Sequence, residues 1–110
     1  MKDMAETVWM TDTARQLADV LIGISDRQTM QNFLRDVMTE KEIIEISARF
    51  EAAKMLRAGK KYAEIIEKTK LSSRTIARIS DWMQNGQGGY SVVLQTIGTH
   101  HAHMPPARAA

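Results

Sequence analysis

An all-α fold is what this sequence predicts, and three observations carry the prediction. Apolar residues recur at helical spacing through most of the chain. Pro occurs only at Pro105 and Pro106, so no earlier helix is forcibly interrupted. Eight Met, many Ala and an aromatic content of 5% suit helix packing. With 110 residues and 44% apolar content, the chain is expected to make one domain over residues 1–98, followed by a disordered tail over 99–110. No Cys is present, which excludes a disulfide framework and a Cys-based metal site. Met1 to Glu6 carry Asp3 and Glu6 and lead into no long apolar run. Neither a secretory signal nor a membrane span is expected, and a cytoplasmic protein is.

From about Asp12 to Ile24, the residues Met10, Ala14, Leu17, Ala18, Leu21 and Ile24 share one helical stripe. Gly23 and Ser25 close that helix, and Asp26 caps a second in which Met30, Phe33, Leu34 and Val37 share a face. Both read as core and dimer-building elements, with Trp9 as a packing contact. Thr39 and Glu42 have the capping-box spacing, which starts a third helix running to about Ala58. It carries two apolar stripes: Ile43, Ile46, Phe50 and Ala53 on one side, and Ile44, Ala48, Ala52 and Met55 on the other. A helix apolar on two sides fits between its own core and a partner subunit. Gly59 is the expected C-cap, with Lys60 and Lys61 where a helix C-terminus favours cations.

Lys60 to Ser80 then reads as two short helices joined by a tight turn, a helix-turn-helix over about 61–84. Tyr62, Ala63, Ile65, Ile66 and Thr69 form one apolar flank, and Ile76, Ile79 and Met83 the other. Ser72 is the N-cap of the second helix. Ser73, Arg74, Ala77, Arg78 and Asp81 fall on the arc away from the isoleucines. Such a short-chained, partly cationic face suits the DNA major groove, where small residues permit approach and Arg reaches guanine edges or phosphates. Asn85 to Gly89 lets the chain reverse, and Tyr90 to Ile97 supplies a short last helix.

The formal net charge is only +2, yet it is unevenly spread. Residues 54–78 hold eight Lys/Arg against Glu64 and Glu67, whereas residues 1–53 hold six Lys/Arg against ten Asp/Glu. Cations concentrated on the motif match the phosphate contacts that supply non-specific affinity for DNA. Catalysis is not expected: all three His lie in the last dozen residues, and the acidic residues have no nucleophile or His beside them. His100, His101 and His103 suggest at most adventitious metal binding, so no metal site is assigned.

Residues 39–97, with ARFEAAKMLRAGKKYAEI, SSRTIARIS and NGQGGYSVVLQTI, resemble the Trp repressor superfamily, and within it the YerC/YecD-type branch. The resemblance implies an intertwined, all-helical homodimer that regulates transcription on DNA. The chain departs from the family where the turn often carries a left-handed Gly and Lys70 stands instead. It departs again at the arginine pair that flanks tryptophan in Trp repressor. Arg78 matches one member, but Ala48 falls opposite the other, with Arg49 one position off. A small-molecule corepressor near Arg49 and Arg78 stays open, tryptophan is disfavoured, and Arg78 serves equally as a phosphate contact.

The expectation is therefore a sequence-specific DNA-binding regulator, a repressor, acting as a homodimer on duplex DNA without a membrane partner. Ser73, Arg74 and Ala77 are the candidates for base contact, and Lys60, Lys61, Ser72 and Arg78 for phosphate. The alternative is a helical protein-interaction module that docks an acidic partner on the same basic helices.

Overall fold

The computed structural model describes the backbone of residues 7–103 and the side chains of residues 7–97. Within them lie the helices α1 (Asp12–Gly23), α2 (Arg27–Val37), α3 (Glu40–Arg57), α4 (Tyr62–Thr69), α5 (Ser73–Asn85) and α6 (Gly89–His103). No strand occurs among the described residues, so the all-α expectation of about six helices holds.

Local side-chain chemistry sets most of the helix starts. The Thr11 hydroxyl accepts from the Ala14 amide at 3.3 Å, and the Asp26 carboxylate from the Thr29 amide at 2.9 Å. Thr39 and Glu42 form the reciprocal box, each side chain accepting from the other's backbone N–H at 3.1 and 2.8 Å. Each cap satisfies an amide that the helix itself leaves without an acceptor. At the end of α3 the amide of Lys60 donates to the Met55 carbonyl and that of Gly59 to Leu56, both at 3.0 Å. This is a Schellman motif, and Gly59 supplies its left-handed residue at φ 83°.

The turn between α4 and α5 has no glycine. Lys70 takes the left-handed conformation itself, at φ 64° and ψ 13°, and its amide donates to the Ile66 carbonyl at 2.8 Å. Thr69 completes the turn: its hydroxyl donates to the Ile65 carbonyl at 2.7 Å and accepts from the Leu71 amide at 3.2 Å. Lys70 is the one non-glycine residue at positive φ among those described. The Cβ costs about 1 kcal/mol in that conformation.

Backbone packing divides the chain into two units, with the boundary inside α3 between Glu45 and Ile46. In the first unit α1 and α2 carry the expected stripes, yet neither helix buries a single residue. Ala14, Ala18, Leu21, Met30, Phe33 and Leu34 are only half-buried, and Ile22 is 82% exposed. The second unit has a closed core of Ala52 and Ala53 from α3, Ile65 from α4, Ile76 and Ile79 from α5, and Leu94 from α6. Phe50, Met55, Leu56, Leu71, Met83 and Tyr90 pack around it. The two stripes of α3 behave differently along their length: Ala52 and Ala53 are fully buried, whereas Ile44 and Ile46 are more than half exposed.

Two expectations need adjustment. The apolar flank of α4 is narrower than its sequence suggests, because Ile65 alone is fully buried while Tyr62, Ala63 and Ile66 face solvent. An eight-residue helix has one inward row, and Ile66 lies about 100° from it. The last helix also runs on through Thr99 to His103, since no Pro follows until Pro105. The rest of the expected tail, 104–110, lies outside the described residues.

Two outcomes follow from these terminal residues. Lys70→Gly should raise stability by up to about 0.5 kcal/mol in urea unfolding, the relief of the left-handed Cβ exceeding the entropy that Gly adds to the unfolded chain. The Asp26 carboxyl is held below its ordinary value of 3.8 by the Thr29 amide and then the Thr29 hydroxyl. A depressed carboxylate stabilises above 3.8 and loses that contribution as pH falls through its folded value. Asp26→Asn should therefore unfold with less acid sensitivity than wild type, read from urea midpoints on either side of that pH.

Candidate nucleic-acid interface

The site is built on α4 and α5, which pack on each other in the second unit. Ile76 and Ile79 have no exposed surface, and with Ile65 they are the largest fully buried side chains. Three residues apart on a helix of about 3.6 residues per turn, Ile76 and Ile79 fix the inward side of α5. Ser73, Arg74, Ala77, Arg78 and Asp81 are consequently all exposed on the outward side. Ser72 caps this helix, its hydroxyl accepting from the Thr75 amide at 3.1 Å and donating to the Thr75 hydroxyl at the same distance. Asn85 steadies the acidic member of the arc by donating to Asp81 at 2.8 Å.

Lys60 and Lys61 are exposed in the connection into α4. Lys61 is the N-cap of α4, and the capping there is one-sided. Its amide donates to the Glu64 carboxylate at 3.3 Å, but an ammonium has no lone pair to offer the α4 amides in return. A cation at a helix N-terminus also opposes the helix dipole.

Ion pairing sorts the cations of this unit. Glu51 lies 3.3 Å from Lys54 and 3.8 Å from Lys68, which offsets those two charges and ties α3 to α4. The side chains of Arg57, Lys60, Lys61, Lys70, Arg74 and Arg78 form no ion pair within 4 Å among the described residues. The uncompensated positive charge of this unit therefore sits on the end of α3, the connection into α4, the turn and the outward side of α5. Sequence reasoning missed two features here. Trp82 is 42% exposed one turn beyond Arg78, as the spacing from Arg74 and Arg78 could have indicated. The neutralisation of Lys68 by Glu51 has no signal in sequence spacing.

The residues considered for a small ligand stand on different helices. Arg49 is half-buried on α3 and Arg78 exposed on α5. A cleft of about 320 Å³ is lined by Arg57, Met83, Gln84, Ser91, Leu94 and Gln95, and a shallower one of about 580 Å³ by Ala63, Ile66, Glu67 and Lys70. Neither includes Arg49 or Arg78. Among the described residues no three His, Cys, Asp or Glu are grouped to hold a metal ion; the side chains of His100, His101 and His103 lie outside those described. No helix of the described residues is long and apolar enough to cross a membrane.

Two helices joined by a tight turn, with the second held by isoleucines so that a small, cationic face points outward, define a helix-turn-helix regulator of the DNA-binding class. A family model for the Trp repressor protein matches residues 12–97, and the chain belongs to that family. An uncharacterized protein of Bacillus subtilis, YerC, is 30% identical over 82 residues, which are 74% of this chain and 79% of YerC. A TrpR-like protein of Eubacterium eligens superposes with a TM-score of 0.78 at 37% identity, over 81% of this chain and 92% of its own. A structure described as a candidate Trp repressor of Staphylococcus aureus superposes with a TM-score of 0.81 at 27% identity, over 88% and 96%. These matches agree with the resemblance read from residues 39–97.

Lys61→Ser should supply the missing half of the capping box and raise stability by about 0.5–1 kcal/mol, measured by urea unfolding. An unchanged or lower midpoint would show that Lys61 makes a stabilising contact which this geometry does not contain.

Proposed function

We propose that the chain is a sequence-specific transcriptional repressor that binds a roughly palindromic operator as a homodimer. The observation that carries the reading is the outward face of α5, with Ser73, Arg74 and Ala77 exposed and the neighbouring cations unneutralised. Ser73, Arg74 and Ala77 read base edges, and Lys60, Lys61, Ser72 and Arg78 hold phosphates that fix the register. The exposed apolar stripes of α1, α2 and the first half of α3 support the dimer. They leave Ile22, Ile44 and Ile46 more than half exposed, and a second copy would bury them. Two recognition helices related by a two-fold axis enter successive major grooves about 34 Å apart. A regulator of this kind works in the compartment that holds the DNA, which in a bacterial cell is the cytoplasm.

A small-molecule corepressor near Arg49 and Arg78 belongs to the same reading. Tryptophan is the disfavoured ligand, because Ala48 stands where the second arginine is expected. A rise in melting temperature with one amino acid or indole and not another would identify the class.

Arg74→Ala should cost about 1–3 kcal/mol on the selected operator and relax preference at one base pair, measured by gel-shift titration after selection from a random duplex pool. Lys61→Ala should weaken all sequences alike and lower the salt slope by about 1. Retention on duplex DNA that shows no salt dependence, together with capture of an acidic protein, would favour the protein-docking alternative instead.

A further inference from the structure

We propose that Lys70 is an additional phosphate-binding residue of this interface, a cation placed in the turn where glycine would hold the backbone more cheaply. The inference rests on the DNA-binding reading above and extends it to a residue outside the set read from the sequence.

Three observations converge on Lys70. Its backbone is left-handed at φ 64°, a conformation that Asn and Gly adopt readily and Lys does not, so the residue is not there for its conformational preference. Its side chain is exposed and has no carboxylate within 4 Å among the described residues, although Glu67 precedes it by three positions. Lys68, two positions away, does have such a partner in Glu51 at 3.8 Å. Lys70 is also two residues before Ser72, the cap of α5, so its Cα lies within about 7 Å of the residue assigned to phosphate. A flexible four-carbon stem bearing a point charge extends the cationic surface of Ser72, Arg74 and Arg78 to the turn itself. The shared demand is for a phosphodiester, and the occupant is the backbone of the duplex that α5 enters.

The same substitution that relieves the backbone removes the charge, which separates function from structure. Duplex binding is measured for wild type, Lys70→Gly, Lys70→Arg and Lys68→Ala by fluorescence anisotropy across a range of salt concentrations, with the melting temperature of each. Lys70→Gly should melt higher than wild type yet bind more weakly, and its slope of log affinity against log salt should fall by about 0.9, the value for one lost phosphate contact. Lys70→Arg should keep the wild-type slope, and Lys68→Ala should change it little because Glu51 already offsets that charge.

A wild-type slope in Lys70→Gly overturns the proposal while leaving the DNA-binding reading intact. So does an equal loss in Lys68→Ala, which would mark a general charge effect, or a lowered slope in Lys70→Arg. A wild-type protein with no salt-dependent affinity for duplex overturns both.

Discussion

Everything that the interface does depends on the direction in which α5 is held, and that direction is set by a few apolar contacts. Ile76 and Ile79 are sealed against Ile65 of α4, with Ala52 and Ala53 of α3 in the same cluster. The alanines are as fully buried as the isoleucines, and their small side chains leave room for the branched ones in the same cluster. Removing one buried isoleucine to Ala costs about 2–5 kcal/mol. A small domain holds about 5–15 kcal/mol in all, so little of the core is expendable. Rotating α5 by one residue would turn Thr75 and Arg78, or Ala77 and Ser80, inward in place of the two isoleucines, so each alternative orientation buries polar or charged groups and exposes apolar ones.

How far the sequence announced this fold depended on whether the controlling interaction was local. Thr39 with Glu42, Ser72 with Thr75, and Asp26 with Thr29 are interactions over three positions, and each forms as its spacing implies. The inward row of α5 was equally readable, because a helical period leaves Ile76 and Ile79 no alternative side. The stripes of α1 and α2 were also present in the sequence, but periodicity states only that a face is apolar. It does not say whether the covering surface comes from the same chain, and here neither helix buries a residue within it. Tyr62 and Ile66 were misplaced for a related reason. A short helix with several apolar residues contains more hydrophobic surface than one neighbour can cover, and composition does not reveal which row wins.

Charge was legible as a count and not as a pattern of neutralisation. Residues 54–78 carry eight basic side chains, and treating them as one patch assigns equal weight to each. The folded chain distinguishes them. Glu51 on α3 lies beside both Lys54 and Lys68, the first a neighbour on its own helix and the second brought in by the packing of α4. Exposed pairs of this kind contribute about 0–1 kcal/mol to stability. Their larger effect is on the field, since a cation already facing a carboxylate attracts a phosphate less than one facing water. The net charge of +2 thus conceals a local excess of positive charge around the elements that also carry Ser72, Arg74 and Arg78.

Two lysines break local rules, and both stand at the edges of the same helix pair. Lys61 occupies an N-cap without an acceptor, where Ser, Thr or Asp would stabilise α4. Lys70 occupies a left-handed position where Gly would relieve the turn. Taken singly, each is a small inefficiency of the size that any protein carries. Found together, they share a sign of charge and an exposed side chain with no ion-pair partner among the described residues. Residues that act against the stability of their own element are expected where a surface serves a ligand. The ligand such a pair would serve is anionic and extended enough to meet both ends of α4, a description that a duplex backbone satisfies and a small carboxylate does not.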